Sequence, residues 1–292
     1  MNMMTDIIPD AVYALAQTGA VLYAARFSGL YRSSDGGATW TNTFSALEAD
    51  PKPAATAVAA SGQTVLAGVN GAVLRSQDGG QQWTIVGLAS PLPHVVALAL
   101  SPQFATDGVA AAGTSEDGVF ITGDAGQTWV AWNFGLLDLR VLALAFSPDF
   151  ATDKLLYAAS ESGIFRSHNG GRSWREVDFP MRAAPVLSLA VVGECLYAGT
   201  ESHGLMISRD GGQSWITAIP TETASVVSVS AANGRLLALT ESRLLLSADE
   251  GQTWETLHSF PDHQQAMALT AQSDAADSFW VGCAQGDLVR IG

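Results

Sequence analysis

Charge is scarce in this chain and unevenly divided. Only 14% of its 292 residues are Asp, Glu, Lys or Arg, with 14 basic against 28 acidic residues and a net charge of −14. A surface of that sign repels phosphate backbones and anionic headgroups, which argues against nucleic acid and anionic membrane as partners. Long hydrophobic runs are also missing. No window approaches the roughly 18 uninterrupted apolar residues of a membrane span, so no membrane insertion is expected. The opening MNMMTDIIPD carries no Lys or Arg ahead of an apolar stretch, unlike a secretory leader, and the expected location is the cytoplasm. Cysteine is limited to Cys195 and Cys283, which read as small buried apolar residues without metal-ligand spacing. The five histidines form no i, i+4 pair, so neither a metal nor a cofactor is expected. Apolar residues, at 48%, supply ample core and exclude a disordered chain.

What the chain has instead is an internal repeat. Six segments align: RSSDGGATW ending at Trp40, RSQDGGQQW at Trp83, ITGDAGQTW at Trp129, RSHNGGRSW at Trp174, ISRDGGQSW at Trp215 and LSADEGQTW at Trp254. Successive tryptophans stand 43, 46, 45, 41 and 39 residues apart, the period of four-stranded propeller blades. The flanks repeat too. VLALAFS (141–147), LLYAASES (155–162), GIFRS (163–167) and WREVDF (174–179) alternate like strands, and no stretch has sustained helical periodicity. Nine of the eleven prolines fall between units, where a missing backbone donor does no harm.

The repeated box has a physical task at the turn between third and fourth strands. Its Asp can accept backbone N–H groups, its Gly supplies a positive φ, its Ser or Thr ties the hairpin, and its Trp covers the turn. Asn169 replaces Asp in the fourth unit and Gln82 replaces Ser/Thr in the second. Beyond Trp254, AMALTAQ, SFWVGCAQ and GDLVRIG supply three strands of a seventh unit, with Arg290 where Arg32, Arg75 and Arg166 stand in theirs. TDIIP (5–9) resembles ITAIP (216–220) and is the expected fourth strand, closing the ring from the N-terminus. The expected fold is one all-β domain over residues 1–292, a seven-bladed β-propeller.

On these boxes the chain resembles the Asp-box (bacterial neuraminidase repeat) superfamily over essentially its whole length. The superfamily includes sialidases, xyloglucan-degrading hydrolases, sortilin-type receptors and the photosystem II stability/assembly factor family. Size and blade number match the last group, which is seven-bladed and non-enzymatic; the strong acidity of this chain departs from it. The resemblance implies that boxes lie away from the ligand face, so Asp35, Asp78, Asp124, Asp210 and Asp249, with Asn169 and the six box tryptophans, are structural. It says little about activity, because one scaffold carries unrelated functions.

On the opposite face, turns between second and third strands carry Glu116, Glu161, Glu201 and Glu241 on four consecutive blades, with His203 beside them. These read either as a polar turn copied with its repeat or as a carboxylate arc for a cation, a basic peptide or a sugar. Loops between blades add Trp132, Phe134, Arg140, Phe179, Arg182 and Phe260, and WNFGLLDLR (132–140) is the richest in aromatic and apolar residues. An exposed aromatic there suits a protein hot spot or a sugar; the alternative is a cap on the channel. The arginine triad and Tyr–Glu pair that the resemblance implies for a sialidase are incomplete, and the five tyrosines fall within strands. The expected function is a monomeric, non-enzymatic scaffold for a protein partner, with a glycan-binding or glycoside-cleaving protein as the alternative.

Overall fold

A computed structural model of the chain describes residues 10–88, 92–180, 185–219, 225–232, 234–271 and 278–292. Seven antiparallel sheets succeed one another along the chain, at 12–42, 57–87, 95–131, 141–176, 186–219, 226–259 and 266–291. They are numbered here as blades 1 to 7. Six have four strands in simple meander order, and three strands of blade 7 are described. The expected outer strand of blade 7 at residues 5–9 lies outside the described residues. The innermost strand of each blade neighbours that of the next, and Val12–Thr18 neighbours Ala266–Ala271, so the ring is closed. Among the described residues no helix is long and apolar enough to cross a membrane.

Blade 4 represents the pattern. Its strands are Val141–Phe146, Leu156–Ser160, Ile164–Ser167 and Arg175–Glu176. The second strand is buried on both faces because neighbouring blades cover it, which explains its unbroken run of small and apolar residues. The core consists of wedges between successive blades, as where Ile121 and Leu136 of the third unit meet Leu156, Phe165 and Trp174 of the fourth. At the last seam Trp280 of blade 7 meets Trp40 of blade 1 edge to face, with centroids 6.3 Å apart. Arg290 stands opposite Trp280 in the ladder as Arg32 stands opposite Tyr23 and Arg166 opposite Tyr157.

The boxes perform the expected turn chemistry. Asp35 accepts the Thr39 amide at 2.9 Å and the Thr39 hydroxyl at 2.6 Å. Asn169 keeps the geometry without the charge, accepting the Ser173 amide and donating to the Ser173 hydroxyl at 2.8 Å. A second hydroxyl, from Ser or Thr, opens each box. Ser208, fully buried, donates to Asp210 at 2.7 Å and accepts the Gly212 amide at 2.7 Å. Ser208→Ala leaves that amide buried without an acceptor and is expected to cost about 1–3 kcal/mol. Urea unfolding measures it; a loss below about 0.5 kcal/mol, the size of an ordinary surface change, would contradict this role.

The boxes also knit the ring together. Arg75 donates to the Ala125 carbonyl of the next box at 2.7 Å, and Arg166 to that of Gly211 at 3.2 Å. Tyr23 donates to the Gly79 carbonyl at 3.1 Å. The SPQFATD and SPDFATD turns contain single-turn helices, Phe104–Asp107 and Phe150–Asp153, on the box side. Asp107 closes its turn by accepting the Val109 amide at 2.8 Å, and Asp153 accepts that of Leu155 at 2.8 Å.

Candidate functional site

The face opposite the boxes is built from the hairpin turns after each second strand and the loops that join blades. Glu116, Glu161, Glu201 and Glu241 all stand on it, exposed, on four consecutive turns. They do not share a common partner. Glu161 forms an ion pair with Arg140. Glu241 accepts the Ser225 hydroxyl at 3.1 Å. Among the described residues no group of three or more His, Cys, Asp or Glu side chains is placed to hold a metal ion. His203, half-buried, is held by its amide on the Thr200 hydroxyl at 2.9 Å, with its ring 2.9 Å from the Ser202 hydroxyl. Arg182 lies outside the described residues.

Arg140 belongs to a fixed cluster. Its guanidinium also pairs with Asp138 at 3.2 Å, and buried Asp138 accepts the Ser162 amide at 2.9 Å. Burial pushes the Asp138 carboxyl up, but hydrogen bonds from the Arg140 amide and guanidinium and from Ser162 outweigh it and leave it below the usual carboxylate range. Asp138, Arg140 and Glu161 therefore lock the loop between blades 3 and 4 onto the hairpin of blade 4. Asp138 was not predicted; an isolated carboxylate two residues before Arg140, in an otherwise apolar and aromatic loop, was the available signal.

That locked loop carries the most exposed apolar side chains of the described surface. Phe134 is 81% and Leu137 79% exposed, and Leu139 and Val130 are exposed beside them in sequence. The Phe134 carbonyl accepts the Trp174 amide at 2.8 Å, so these side chains are displayed by a fixed backbone. Trp132 is placed differently from the sequence expectation. Its amide continues the sheet to the Val119 carbonyl, which leaves the ring on the outer wall between blades 3 and 4, beneath the Arg172 guanidinium. It neither lines the axial channel nor joins the glutamates. Phe179 and Phe260, also expected on this face, are buried; Phe179 packs edge-on against Trp215 with centroids 4.9 Å apart.

Hollows open elsewhere among the described residues. The axial channel, about 240 Å³, is walled by the seven innermost strands, mostly Ala, Val and Leu, with Tyr13, Ser188 and Ser228 supplying hydroxyls. Tyr23, Tyr157 and Tyr197 are core residues, whereas Tyr13 lines this channel. A polar cavity of about 320 Å³ lies between blades 6 and 7, lined by Glu241, Ser242, Pro261, Asp262, Gln264 and Gln265.

Residues 3–135, the first three blades, match the family model described as "Photosynthesis system II assembly factor YCF48". No curated protein matches the chain. Among solved structures, "YCF48 bound to D1 peptide" is similar at 17% identity and a TM-score of 0.73, over 97% of this chain and 92% of that one. YCF48 from Cyanidioschyzon merolae is similar at 16% identity and a TM-score of 0.70, over 97% and 96% of the two chains. The GH74 xyloglucanase from Xanthomonas campestris reaches a TM-score of 0.80 at 18% identity, covering 97% of this chain but 52% of the enzyme. This chain is thus a seven-bladed β-propeller that resembles the photosystem II assembly-factor-like propellers, by family model over its first three blades and by fold over nearly its whole length.

Proposed function

We propose that this protein is a non-enzymatic propeller that docks another protein, using the loop between blades 3 and 4. The observation that carries the reading is the exposure of Phe134 and Leu137 on a loop held in place by Asp138, Arg140 and Glu161. Several large apolar side chains exposed together on one fixed loop make a patch suited to a partner, unlike singly exposed ones such as Ile85. The similarity to a YCF48 structure solved with a D1 peptide supports a protein ligand over a small substrate. The protein is a cytoplasmic monomer in this reading, and the glutamate turns form the polar rim of the docking surface.

The test is capture from lysate of the source cells on immobilised protein, followed by titration of each purified retained protein. Phe134→Ser with Leu137→Ser is expected to weaken binding at least tenfold. Changing Glu116, Glu201 and Glu241 together to Gln is expected to alter it by less, because rim charges contribute little. Equal binding by the wild type and the Phe134/Leu137 variant would overturn the reading.

A second reading has its own observation. The cavity beside Glu241 joins two carboxylates to two amides, the donor and acceptor mixture that sugar hydroxyls require. Retention on a glycoside panel that Glu241→Gln abolishes, together with no protein partner, would favour a carbohydrate-binding or carbohydrate-cleaving propeller.

A further inference from the structure

The outer wall between blades 3 and 4 holds a groove of about 510 Å³, within the range of ligand sites. Trp132, Val130 and Phe150 give it an apolar floor, and Lys154, His168 and Arg172 stand along it. Such a basic edge is unexpected in a chain of net charge −14.

Four positions depart from the repeat; two of them, Arg172 and Lys154, add positive charge and a third, Asn169, removes negative charge. Asn169 occupies the box position that is Asp in the other five units. Its hydrogen bonds reproduce those of the Asp boxes, so the turn is kept while a carboxylate is lost from the rim. Arg172 replaces Ala38, Gln81, Gln127, Gln213 or Gln252. Those glutamines donate back to the carbonyl of their own box Asp. Arg172 instead lies over the Trp132 ring, 5.3 Å from its centroid. His168 stands where the other units have Ser34, Gln77, Gly123, Arg209 and Ala248.

Lys154 is the fourth departure. It closes the single-turn helix Phe150–Asp153 in the left-handed conformation, at φ +54°. In the sister turn the same place holds Gly108, at φ +62°. A β-carbon at that conformation is disfavoured, and the sister turn avoids it with glycine. The Lys154 ammonium stands over the Phe150 ring at 5.3 Å. The adjacent acid, Asp153, is turned back into its own loop, bonded to Ser147 and the Leu155 amide.

We propose that this groove binds an acidic peptide segment of the partner, with bulky apolar side chains on the Trp132 floor and carboxylates at Lys154 and Arg172. The inference rests on the docking reading above. The two cations lie over separate rings, Lys154 over Phe150 and Arg172 over Trp132, an arrangement that suits a chain with spaced carboxylates better than a compact phosphate. The groove runs up to exposed Val130, in the outer strand of blade 3 that leads into the displayed loop. At physiological salt the remaining acidic surface is screened beyond about 8 Å, so the local sign decides binding.

The experiment uses the whole protein and a phage-displayed library of random dodecapeptides, selected at physiological salt. Enriched sequences are expected to carry net negative charge and at least one bulky apolar residue. In anisotropy titrations they are expected to lose at least tenfold in affinity for Lys154→Gly with Arg172→Gln. Both substitutions restore what sister repeats contain, so the variant keeps its fold; matching circular dichroism checks this. No enrichment, enrichment of neutral or basic sequences, or equal affinity for the variant would overturn the proposal. So would displacement of the peptides by inorganic phosphate alone. A lysate partner that depends on Phe134 and Leu137 but binds the groove variant normally would sink the groove while leaving the docking reading intact.

Discussion

Replacing Gly282 with Leu is expected to destabilise the protein by about 3 kcal/mol, and adding Val12→Ala is expected to restore most of that loss. Gly282 lies in the second strand of blade 7, at the seam where the chain's two ends meet. A β-carbon built there would stand 2.4 Å from Val12 Cγ1 and 2.6 Å from Val12 Cβ. Val12 is fully buried, so it has no free direction in which to move. The same juxtaposition recurs at Gly68 with Val95 and at Gly113 with Val141.

The seam between blades 6 and 7 inverts the sizes. Leu239 takes the position of the glycine and Ala266 that of the valine, in one core cluster. The double variant copies that natural solution to the last seam. Urea unfolding of the wild type, both single variants and the double variant forms a cycle whose coupling term is the quantity of interest. Additive losses would mean that the seam is not held by size complementarity.

Acid is expected to unfold the protein steeply between about pH 4 and pH 2, through the boxes. At Asp35 the Thr39 hydroxyl, then its amide and the Ser33 hydroxyl, bring the carboxyl from the usual 3.8 to about 2. Thr253 and Ser247 do the same to Asp249, also to about 2. At Asp124 burial acts upward, but bonds from Thr128 and Thr122 prevail and leave it at about 2. Asp210 is lowered chiefly by the Ser214 hydroxyl.

The folded state thus holds these carboxylates ionised more firmly than the unfolded chain does. Their contribution is complete above the unfolded value near 3.8 and disappears as pH falls through the folded values. Changing Asp35, Asp78, Asp124, Asp210 and Asp249 together to Asn copies the box at Asn169. It is expected to remove about half or more of the pH dependence of the urea midpoint across this window. An unchanged slope would place the acid-sensitive groups elsewhere.

The architecture was legible because a propeller repeats its instructions. Six boxes at near-constant spacing, and three further strands after Trp254, fix the blade count before any contact is known. Strand positions followed from alternation, and Arg290 was correctly aligned with Arg32 and Arg166. The site was less legible, because side-chain direction depends on twist and inter-blade packing that a repeat does not encode. Trp132 was expected beside the glutamates, yet one further ladder bond turned its ring to the outer wall. Phe179 and Phe260 sat in polar loops but fill gaps between blades. The groove was present in the sequence as departures from the repeat. Asn169 alone indicates only a preserved turn, while its lost charge acquires meaning beside Lys154 and Arg172.

Hydrogen–deuterium exchange of the protein with and without its captured partner tests the central claim most directly. Docking through blades 3 and 4 predicts slowed exchange confined to peptides covering residues 130–140 and 154–175. Protection centred on the turns of Glu116, Glu201 and Glu241, with those two stretches unchanged, would contradict it.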